Sequence, residues 1–310
     1  MKLSLPYPMT VDQEELWGSA AALRKVAEAA EAAGIDAINT TDHPAPSQKW
    51  RNNGGHDTFD PFAMLAFVAG FTRKIRLHTH ILVLPYRNPF VSAKSAASVD
   101  ALSEGRLIIG IGSGYLSSEY AALGADFEKR GERMDEAIEV MRMAWSGEPV
   151  TFKGSHFQAF GAFPRPLPVQ RPIPIWGGGN SKRAIERAAR QCEGYCPFFA
   201  PETLAKSART QVLADLADFK RQVDYFNECR DRFGRGGPVD LLGVSTSVTR
   251  MAVCNREAAE IYLDAAAEYA RLGCTWMILS LPHPSVEALV DNIQWAAEEI
   301  VPHLKQPAFA

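Results

Sequence analysis

The chain has 310 residues, of which 46% are hydrophobic and 22% are charged, and its formal net charge is -3. This composition is ordinary for a soluble globular protein, and the length suffices for one large core. The pI near 6.2 gives no reason to expect nucleic acid or an anionic membrane as a partner. No apolar run reaches the roughly 18 residues of a membrane-spanning helix.

The N-terminus and the cysteines indicate a cytoplasmic protein. The opening Met-Lys-Leu-Ser-Leu-Pro-Tyr-Pro is too short and too rich in proline for a signal peptide, and it is predicted to begin a first strand. The 5 cysteines form no close CxxC pair, so free thiols in a reducing compartment are expected. Cys192 and Cys196 lie four residues apart, but no second pair accompanies them as a metal site would require.

Short apolar stretches alternate with stretches of helical periodicity along the whole chain. The predicted strands are 2–5, 35–41, 75–82, 106–111, 173–176, 194–199, 242–253 and 276–281. The predicted helices are 17–33, 61–71, 89–102, 130–145, 182–191, 202–233, 256–272 and 286–303. Strands without polar alternation are typical of a buried parallel sheet. Eight such units predict a single α/β domain over residues 1–310, a (β/α)8 TIM barrel, with a doubly wound sheet as the alternative.

Two segments interrupt this alternation. Residues 151–171 are predicted to form an insertion before the fifth strand, and residues 44–60 a polar loop on the face where barrel strands end. Both are expected to shape a substrate pocket. Their aromatic residues suggest an apolar or aromatic substrate, or a loop that folds onto itself: Trp50, Phe59, Phe157 and Phe160.

Two apolar stretches run into glycine-rich turns, Gly110-Ile-Gly-Ser-Gly-Tyr115 and Gly177-Gly-Gly-Asn-Ser181. Glycine permits close approach to a ligand, and a helix start favours anions, so both turns are predicted to bind phosphate. The first turn lacks the third glycine of a nicotinamide dinucleotide fingerprint and follows the fourth strand rather than the first. The alternative for the second is a tight turn with Ser181 as helix cap and no ligand.

Histidines occupy two strand positions that suit chemistry. Asp42 and His43 end the second strand, where an acid beside an imidazole can orient a proton donor; a cap or a buried hydrogen bond is the alternative. His78 and His80 lie two apart on the third strand and therefore share one face. Two such imidazoles also occur in metal-dependent hydrolases, although the further ligands that such a site needs are not evident on later strands.

Taken together, these motifs resemble the bacterial luciferase-like monooxygenase superfamily, most closely its deazaflavin (coenzyme F-420) dependent branch. The resemblance covers nearly the whole chain. The matching motifs are Thr41-Asp-His43, Leu77-His-Thr-His-Ile-Leu82, Arg87-Asn-Pro89, Ala93-Lys94, Leu102-Ser-Glu-Gly-Arg106, Gly110-Ile-Gly-Ser-Gly-Tyr-Leu116 with Glu119, Arg130-Gly-Glu-Arg133 and Ile175-Trp-Gly-Gly-Gly-Asn-Ser181.

The resemblance implies a barrel with an insertion, often dimeric, that holds the cofactor ring in its mouth. It implies a cis peptide at His80-Ile81 behind the ring, and a cofactor-binding Asp-His pair at Asp42 and His43 whose histidine lies near the ring's reactive edge. The residues expected to meet the phosphate are Ser113, Gly114, Tyr115, Gly177, Gly178, Gly179, Asn180 and Ser181. His80 departs from the family, which usually has a small residue at that position.

The resulting expectation is an oxidoreductase that transfers a hydride between coenzyme F-420 and a small organic substrate, with His43 as catalytic proton partner. The alternatives are an FMN-dependent monooxygenase that uses O₂ and a separate flavin reductase, a metal-dependent hydrolase, and a flavin-binding protein without catalysis. A homodimer is expected, with no bound metal, nucleic acid or membrane. Cations expected near the mouth are Lys49, Arg51, Lys182 and Arg183.

Overall fold

The computed structural model describes residues 1–9, 13–243 and 249–305. Its strands, in chain order, are β1 (Lys2–Pro6), β2 (Ala37–Thr40), β3 (Arg76–Val83), β4 (Leu107–Gly112), β5 (Val150–Lys153), β6 (Gln158–Ala162), β7 (Ile175–Gly178), β8 (Gly194–Cys196), β9 (Asp240–Gly243) and β10 (Trp276–Ile278). All except β5 and β6 form a closed parallel barrel in the order β1-β10-β9-β8-β7-β4-β3-β2. The predicted (β/α)8 TIM barrel is therefore confirmed.

The helices lie around this barrel. They are α1 (Glu14–Trp17), α2 (Ala20–Ala32), α3 (Gln48–Arg51), α4 (Pro61–Ala69), α5 (Pro89–Leu102), α6 (Ser117–Ala122), α7 (Arg130–Trp145), α8 (Lys182–Gln191), α9 (Glu202–Ala208), α10 (Leu216–Arg232), α11 (Arg256–Arg271), α12 (Val286–Glu299) and α13 (Val301–Leu304), with a 3-10 turn at Leu84–Tyr86. Among the described residues, no helix combines the length and the apolar character that crossing a membrane requires.

Local sequence sets several of these boundaries. Asp60 accepts hydrogen bonds from the first backbone N–H groups of α4, and Pro61 occupies the first turn, where a missing N–H has no consequence. Ser181 caps α8 in the same way. Closure of the barrel depends on β1, whose Ser4 is paired with Ala37 of β2 on one side and with Ile278 of β10 on the other.

Two predicted elements differ from the structure. The predicted helix over 202–233 is wrong, because the chain breaks between α9 and α10. Arg209 adopts a left-handed conformation, and Leu213 then pairs with Ala200 through two backbone hydrogen bonds of 2.9 Å. Burial of the Leu213 side chain accounts for the break, which helical periodicity does not reveal. The predicted strand over 242–253 begins within β9, but residues 244–248 lie outside the described residues.

The insertion before the fifth barrel strand is a two-stranded antiparallel hairpin, β5 and β6, that is separate from the barrel sheet. The Glu136 carboxylate of α7 accepts the backbone N–H groups of Ser155 and His156 at 2.7 and 2.9 Å. The ring of Phe157 lies 5.0 Å from the Arg133 guanidinium, and Phe160 is 80% exposed. The hairpin is thus attached to α7 on the outside of the barrel.

Candidate active site

A cavity of about 1180 Å³ opens at the end of the barrel where the strands terminate. This is the end at which enzymes with this architecture carry their chemistry. Its wall is largely apolar, with a few polar and cationic groups, and includes Tyr7, Asn39, Lys49, Trp50, His56, His80, Tyr115, Phe198, Arg250, Met251, Leu281 and His283. The cavity is large enough for a ring system and a small substrate together, since pockets for drug-sized ligands span roughly 300–1,000 Å³.

The site residues predicted from the sequence lie at the ends of four strands, β2, β3, β4 and β7, which are neighbours in the barrel. The fold therefore brings the predicted positions into one arc of the mouth. Of these residues, His80 and Tyr115 line the cavity directly. The Tyr115 ring also stacks on Phe198, with 6.2 Å between ring centroids.

His43 is paired with a buried carboxylate. Its Nδ1 lies 3.2 Å from Oε2 of Glu119 in α6, and the side chains are only 10% and 3% exposed. The other oxygen, Oε1, accepts the backbone N–H of Ala45 at 3.3 Å. Because a carboxylate accepts hydrogen bonds, Nδ1 carries the proton and Nε2 remains as the nitrogen that can take one up. The pair is therefore arranged as an imidazole base with an orienting acid.

Asp42 is paired with Arg87 and not with its sequence neighbour His43. Its carboxylate accepts two hydrogen bonds from the Arg87 guanidinium, at 2.6 and 3.1 Å, and one from the Val83 N–H at 2.9 Å. Burial raises the pKa of Asp42, and the charge of Arg87 opposes that shift. The interpretation that Asp42 orients His43 is wrong, because the carboxylate in contact with the imidazole is Glu119.

Aromatic rings cover His43 on the cavity side. The Trp50 ring centroid lies 4.4 Å from that of His43, and those of His56 and Tyr115 lie at 5.0 and 6.2 Å. Trp50 belongs to α3, a short helix within the predicted polar loop. Burial and the nearby His43 lower the pKa of His56. The loop thus forms part of the pocket wall, as predicted for residues 44–60.

The third strand carries the expected cis peptide between His80 and Ile81. The pairing of β3 with β4 shifts register between Thr79 and Leu82, as at a bulge, so consecutive side chains can both enter the interior. His80 lines the cavity, whereas the Ile81 side chain lies against Gly112 of β4. Burial lowers the pKa of His80 to about 4.

His78 lies deeper on the barrel axis and is fully buried. Its Nδ1 is 3.3 Å from the Ser4 hydroxyl, and its ring is 5.3 Å from that of His80 and 4.8 Å from that of Trp176. Burial lowers the pKa of His78 well below its ordinary value. Across residues 1–9, 13–243 and 249–305, no three His, Cys, Asp or Glu side chains converge as metal ligands would.

Packing within the protein accounts for several glycines of the two predicted phosphate turns. A Cβ on Gly112 would overlap Ile81, and one on Gly177 would lie 2.6 Å from the Cβ of Ala188 in α8. Gly178 faces the carbonyl of Ile111, 2.9 Å from where its Cβ would be. These glycines therefore do not by themselves indicate a ligand, and a larger residue at Gly178 would perturb the barrel directly.

The rest of the second turn is also occupied by protein contacts. The Asn180 amide donates to the carbonyl of Phe198 at 2.6 Å and accepts the N–H of the same residue at 2.8 Å. The Ser181 hydroxyl caps α8 through the N–H of Ala184. In the first turn the carbonyl of Ser113 accepts the Tyr120 hydroxyl at 2.6 Å. The backbone at Gly114 and Gly179, both with positive φ, remains a predicted cofactor contact.

The cationic side chains that were predicted near the mouth of the barrel lie in different parts of the structure. Lys49 lines the cavity, as does Arg250, which the sequence analysis did not single out. Arg51 is paired with Asp57 at 2.8 Å, and Lys182 lies over the Tyr225 ring in a separate outer groove. Within the part of the chain that the structure describes, neither Lys49 nor Arg250 forms a salt bridge through its side chain.

The hairpin residues make no contribution to the described cavity wall, so the expectation that residues 151–171 shape the pocket is wrong. Phe157 and Phe160 lie outside the barrel, whereas the expected Trp50 does line the pocket, together with Tyr7, Tyr115, Phe198 and Phe199. All five cysteines are free thiols, as expected, and Cys192 and Cys196 are both buried.

Sequence reasoning missed the roles of Glu119 and Arg87. Both belong to the motifs quoted above, but no spacing rule joins them to His43 or Asp42, from which they are 76 and 45 residues away. An acidic residue in a short helix directly after a strand-ending glycine turn is the available signal for Glu119. Its partner becomes evident only when β2 and β4 are placed on either side of β3.

Comparison with known proteins identifies relatives of this chain. The F420-dependent glucose-6-phosphate dehydrogenase of Gordonia bronchialis is 34% identical over 178 residues, which cover 56% of this chain and 51% of that protein. The chain thus spans about half the length of that relative. A protein of the same name from Mycobacterium avium is 27% identical over 299 residues, or 91% of this chain and 87% of its own.

Solved structures show the same fold. The monooxygenase RslO1 from Streptomyces bottropensis superposes with a TM-score of 0.77 at 20% identity, over 98% of this chain and 99% of its own. An F420-dependent secondary alcohol dehydrogenase in complex with an F420-acetone adduct gives a TM-score of 0.70 at 19% identity, over 99% and 100% of the two chains. The family model described as luciferase-like monooxygenase matches residues 3–272. The chain therefore belongs to the luciferase-like monooxygenase family.

Proposed function

We propose that the protein is an oxidoreductase that transfers a hydride between coenzyme F-420 and a small organic substrate. The observation that carries this proposal is the buried His43–Glu119 pair at the mouth of the barrel, beside a cavity large enough for a ring and a substrate. The names of the relatives from Gordonia bronchialis and Mycobacterium avium support the choice of cofactor.

The residues present fit such a cofactor. The cavity floor contains His80, whose buried Nδ1 has no partner in the described protein, and the wall contains the two cations Lys49 and Arg250. Coenzyme F-420 supplies a deazaflavin ring that takes up or releases a hydride, and an anionic tail that cations would attract. His80 and Ile81 would lie beneath the ring, and the turns at Gly114 and Gly179 would approach its phosphate.

His43 would move the proton that accompanies the hydride. In the oxidation of an alcohol, a hydride leaves the carbon while the hydroxyl proton leaves the oxygen, so a base must stand beside the substrate. Nε2 of His43 would accept that proton, since Nδ1 faces Glu119, and the substrate would reach it past the rings of Trp50 and Tyr115, which line the cavity. The Glu119 carboxylate compensates the positive charge that results on the imidazole.

Titration with cofactors tests the proposal. We expect purified protein to bind coenzyme F-420 more tightly than FMN, with an affinity that falls as salt rises, because exposed ion pairs are screened within about 10 Å at 0.1 M salt. Lys49→Met and Arg250→Met should each weaken F-420 binding, whereas Lys182→Met, in the outer groove, serves as the matched control. Consumption of F-420 would then be followed with glucose 6-phosphate and with secondary alcohols.

A different result would favour the flavin alternative. If FMN binds at least as tightly as F-420, and supports substrate oxidation by O₂ with a separate flavin reductase, the deazaflavin assignment is wrong. Zinc bound at one per chain without ring binding would instead favour a hydrolase. Binding of either ring without turnover of any redox substrate would leave a flavin-binding protein.

The proposal includes a homodimer and a cytoplasmic location. Large apolar side chains of α5 and of the segment after the hairpin are exposed, with Val91 at 65%, Leu102 at 69% and Val169 at 58%. A Cβ added to Gly105 would lie 3.2 Å from Cγ1 of Val169, so the turn after α5 is close to that segment. Exposed apolar groups of this kind support a protein interface, and the free thiols support a reducing compartment. Light scattering on Leu102→Asp tests the dimer, which this charge should dissociate.

A further inference from the structure

The barrel axis contains two histidines whose hydrogen-bonding capacity the proposed reaction does not use. Nε2 of His78 and Nδ1 of His80 are both buried, and neither has a hydrogen-bond partner among the described residues. Buried polar atoms without partners are uncommon in folded proteins, so each calls for an explanation. The two rings are neighbours, with centroids 5.3 Å apart.

The base of this pair is hydrogen-bonded to β1 and β2. The Asn39 amide donates to the Ser4 hydroxyl oxygen at 2.8 Å, and that hydroxyl lies 3.3 Å from Nδ1 of His78. Nδ1 of His78 has this partner in either neutral tautomer, so the atom of the ring that lacks a partner among the described residues is Nε2.

The surroundings of the His80 ring indicate which of its two nitrogens carries the proton. Its ring is half-buried: Nδ1 is inaccessible to solvent, while the side chain forms part of the cavity wall. An orphaned buried N–H is rarer than an under-satisfied buried acceptor. The N–H of His80 is then on Nε2, at the edge that remains for the cavity.

We propose that His80 is a neutral N–H donor at the floor of the cavity, and that it selects ligands with an acceptor oxygen at that position. The acceptor is a carbonyl of the cofactor ring or an oxygen of the substrate. This inference rests on the proposed function for the identity of the ligand, but the donor itself is a property of the chain. Burial supports it, since the lowered pKa of His80 keeps the ring uncharged at neutral pH.

The tautomer can be measured on the wild-type protein without any ligand. Protein labelled with ¹⁵N-histidine contains seven histidines, and long-range ¹H–¹⁵N correlation distinguishes the two neutral tautomers and the imidazolium. His80→Gln and His78→Gln identify the two signals by their loss. We expect both rings to be neutral at pH 7, with the proton of His80 on Nε2. An imidazolium, or an Nδ1–H tautomer at His80, would overturn the proposal.

Two replacements of similar size test the recognition. His80→Leu removes the donor, whereas His80→Gln retains an N–H at the end of the side chain. If the acceptor is on the cofactor, His80→Leu should weaken F-420 binding on the order of tenfold, and His80→Gln should restore most of it. If the acceptor is on the substrate, F-420 affinity is unchanged and KM rises by a similar factor in His80→Leu alone. Equal behaviour of the two variants in both assays refutes the donor role.

Failure of this inference and failure of the proposed function are separable. A wild-type protein that does not bind F-420 but has the Nε2–H tautomer at His80 contradicts only the choice of cofactor, and FMN then becomes the probe for the same two variants. If His80→Leu does not fold, as judged by circular dichroism, the tautomer measurement on the wild-type chain still decides whether His80 is the proposed donor.

Discussion

Two pairs of side chains containing histidine lie within one barrel mouth, and their surroundings differ. His43 faces the buried Glu119 carboxylate at 3.2 Å, whereas the Ser4 hydroxyl and the Trp176 ring lie beside His78, and the His78 ring lies beside His80. An imidazole beside an anion can accept a proton because the charge is compensated. An imidazole without an anion stays neutral when buried, and it can act only through hydrogen bonds.

This comparison shows that the neighbouring groups decide which chemistry a histidine side chain can perform. We propose that His43, after the second strand, exchanges a proton and that His80, on the third strand, recognises a ligand. His43 and His80 lie within forty residues of each other, and the sequence does not indicate that their roles differ. Variants of the two pairs test whether their roles differ, beginning with the variant for which the largest effect is expected.

Removing the imidazole of His43 should have the largest effect on the rate of hydride transfer. We expect His43→Ala to retain cofactor binding and to slow hydride transfer by a factor on the order of 10² or more, as loss of a general acid–base group does. Stopped-flow absorbance of the deazaflavin with the substrate found above measures this rate. His156→Ala, on the hairpin outside the barrel, is the matched control and should retain the wild-type rate. A wild-type rate in His43→Ala would remove this residue from the mechanism.

His80, in the second pair, should make the free energy of unfolding depend on pH. Burial lowers the pKa of His80 to about 4 from 6.5, so the unfolded chain takes up a proton there as pH falls through 6.5 and the folded chain does not. Stability is therefore lost between these two values. We expect wild type to lose on the order of 2 kcal/mol more than His80→Gln between pH 7 and pH 5.

Urea unfolding at the two pH values gives this difference. His78, with its pKa lowered in the same direction, adds to the wild-type loss and remains in the variant. His80→Leu should match His80→Gln, because both remove the same titrating group. A variant that loses as much stability as wild type between pH 7 and pH 5 would show that His80 takes up a proton in the folded state.

Neutralising the carboxylate of the first pair should have an intermediate effect. Glu119→Gln keeps a hydrogen-bond acceptor beside Nδ1 of His43 but removes the negative charge. We expect kcat to fall on the order of tenfold with KM nearly unchanged, since the carboxylate stabilises the positive charge that forms on His43 when it accepts the proton. A variant with wild-type kcat would reduce Glu119 to a structural role.

The smallest effect on rate is expected at Asp42. Its carboxylate bonds to Arg87 and Val83 and has no contact with the His43 ring, so Asp42→Asn should leave hydride transfer within about threefold. Stability should fall by about 1–3 kcal/mol, because the hydrogen bonds from Arg87 lose their charged acceptor. Thermal unfolding and kcat on the same preparation separate the two. A rate loss as large as that of His43→Ala would restore Asp42 to the catalytic pair.

The sequence alone determined the architecture and the face that carries the site. Apolar strands without polar alternation, separated by helices, already predict a parallel barrel, because burial on both faces of a strand excludes polar positions. Helix boundaries such as those of α5, α7 and α8 followed from periodicity and caps. The motif resemblance further implied the cis peptide at His80-Ile81 and the position of His43 at the mouth.

Tertiary structure decided the partners. Asp42 and His43 are adjacent in sequence, but their side chains leave the end of β2 in different directions, one to Arg87 and the other to Glu119. The hairpin was predicted at the pocket and lies on α7, and several glycines predicted for phosphate make room for Ile81 and α8. Pattern and propensity act over a few residues, whereas these contacts join residues tens of positions apart, which only the closed barrel brings together.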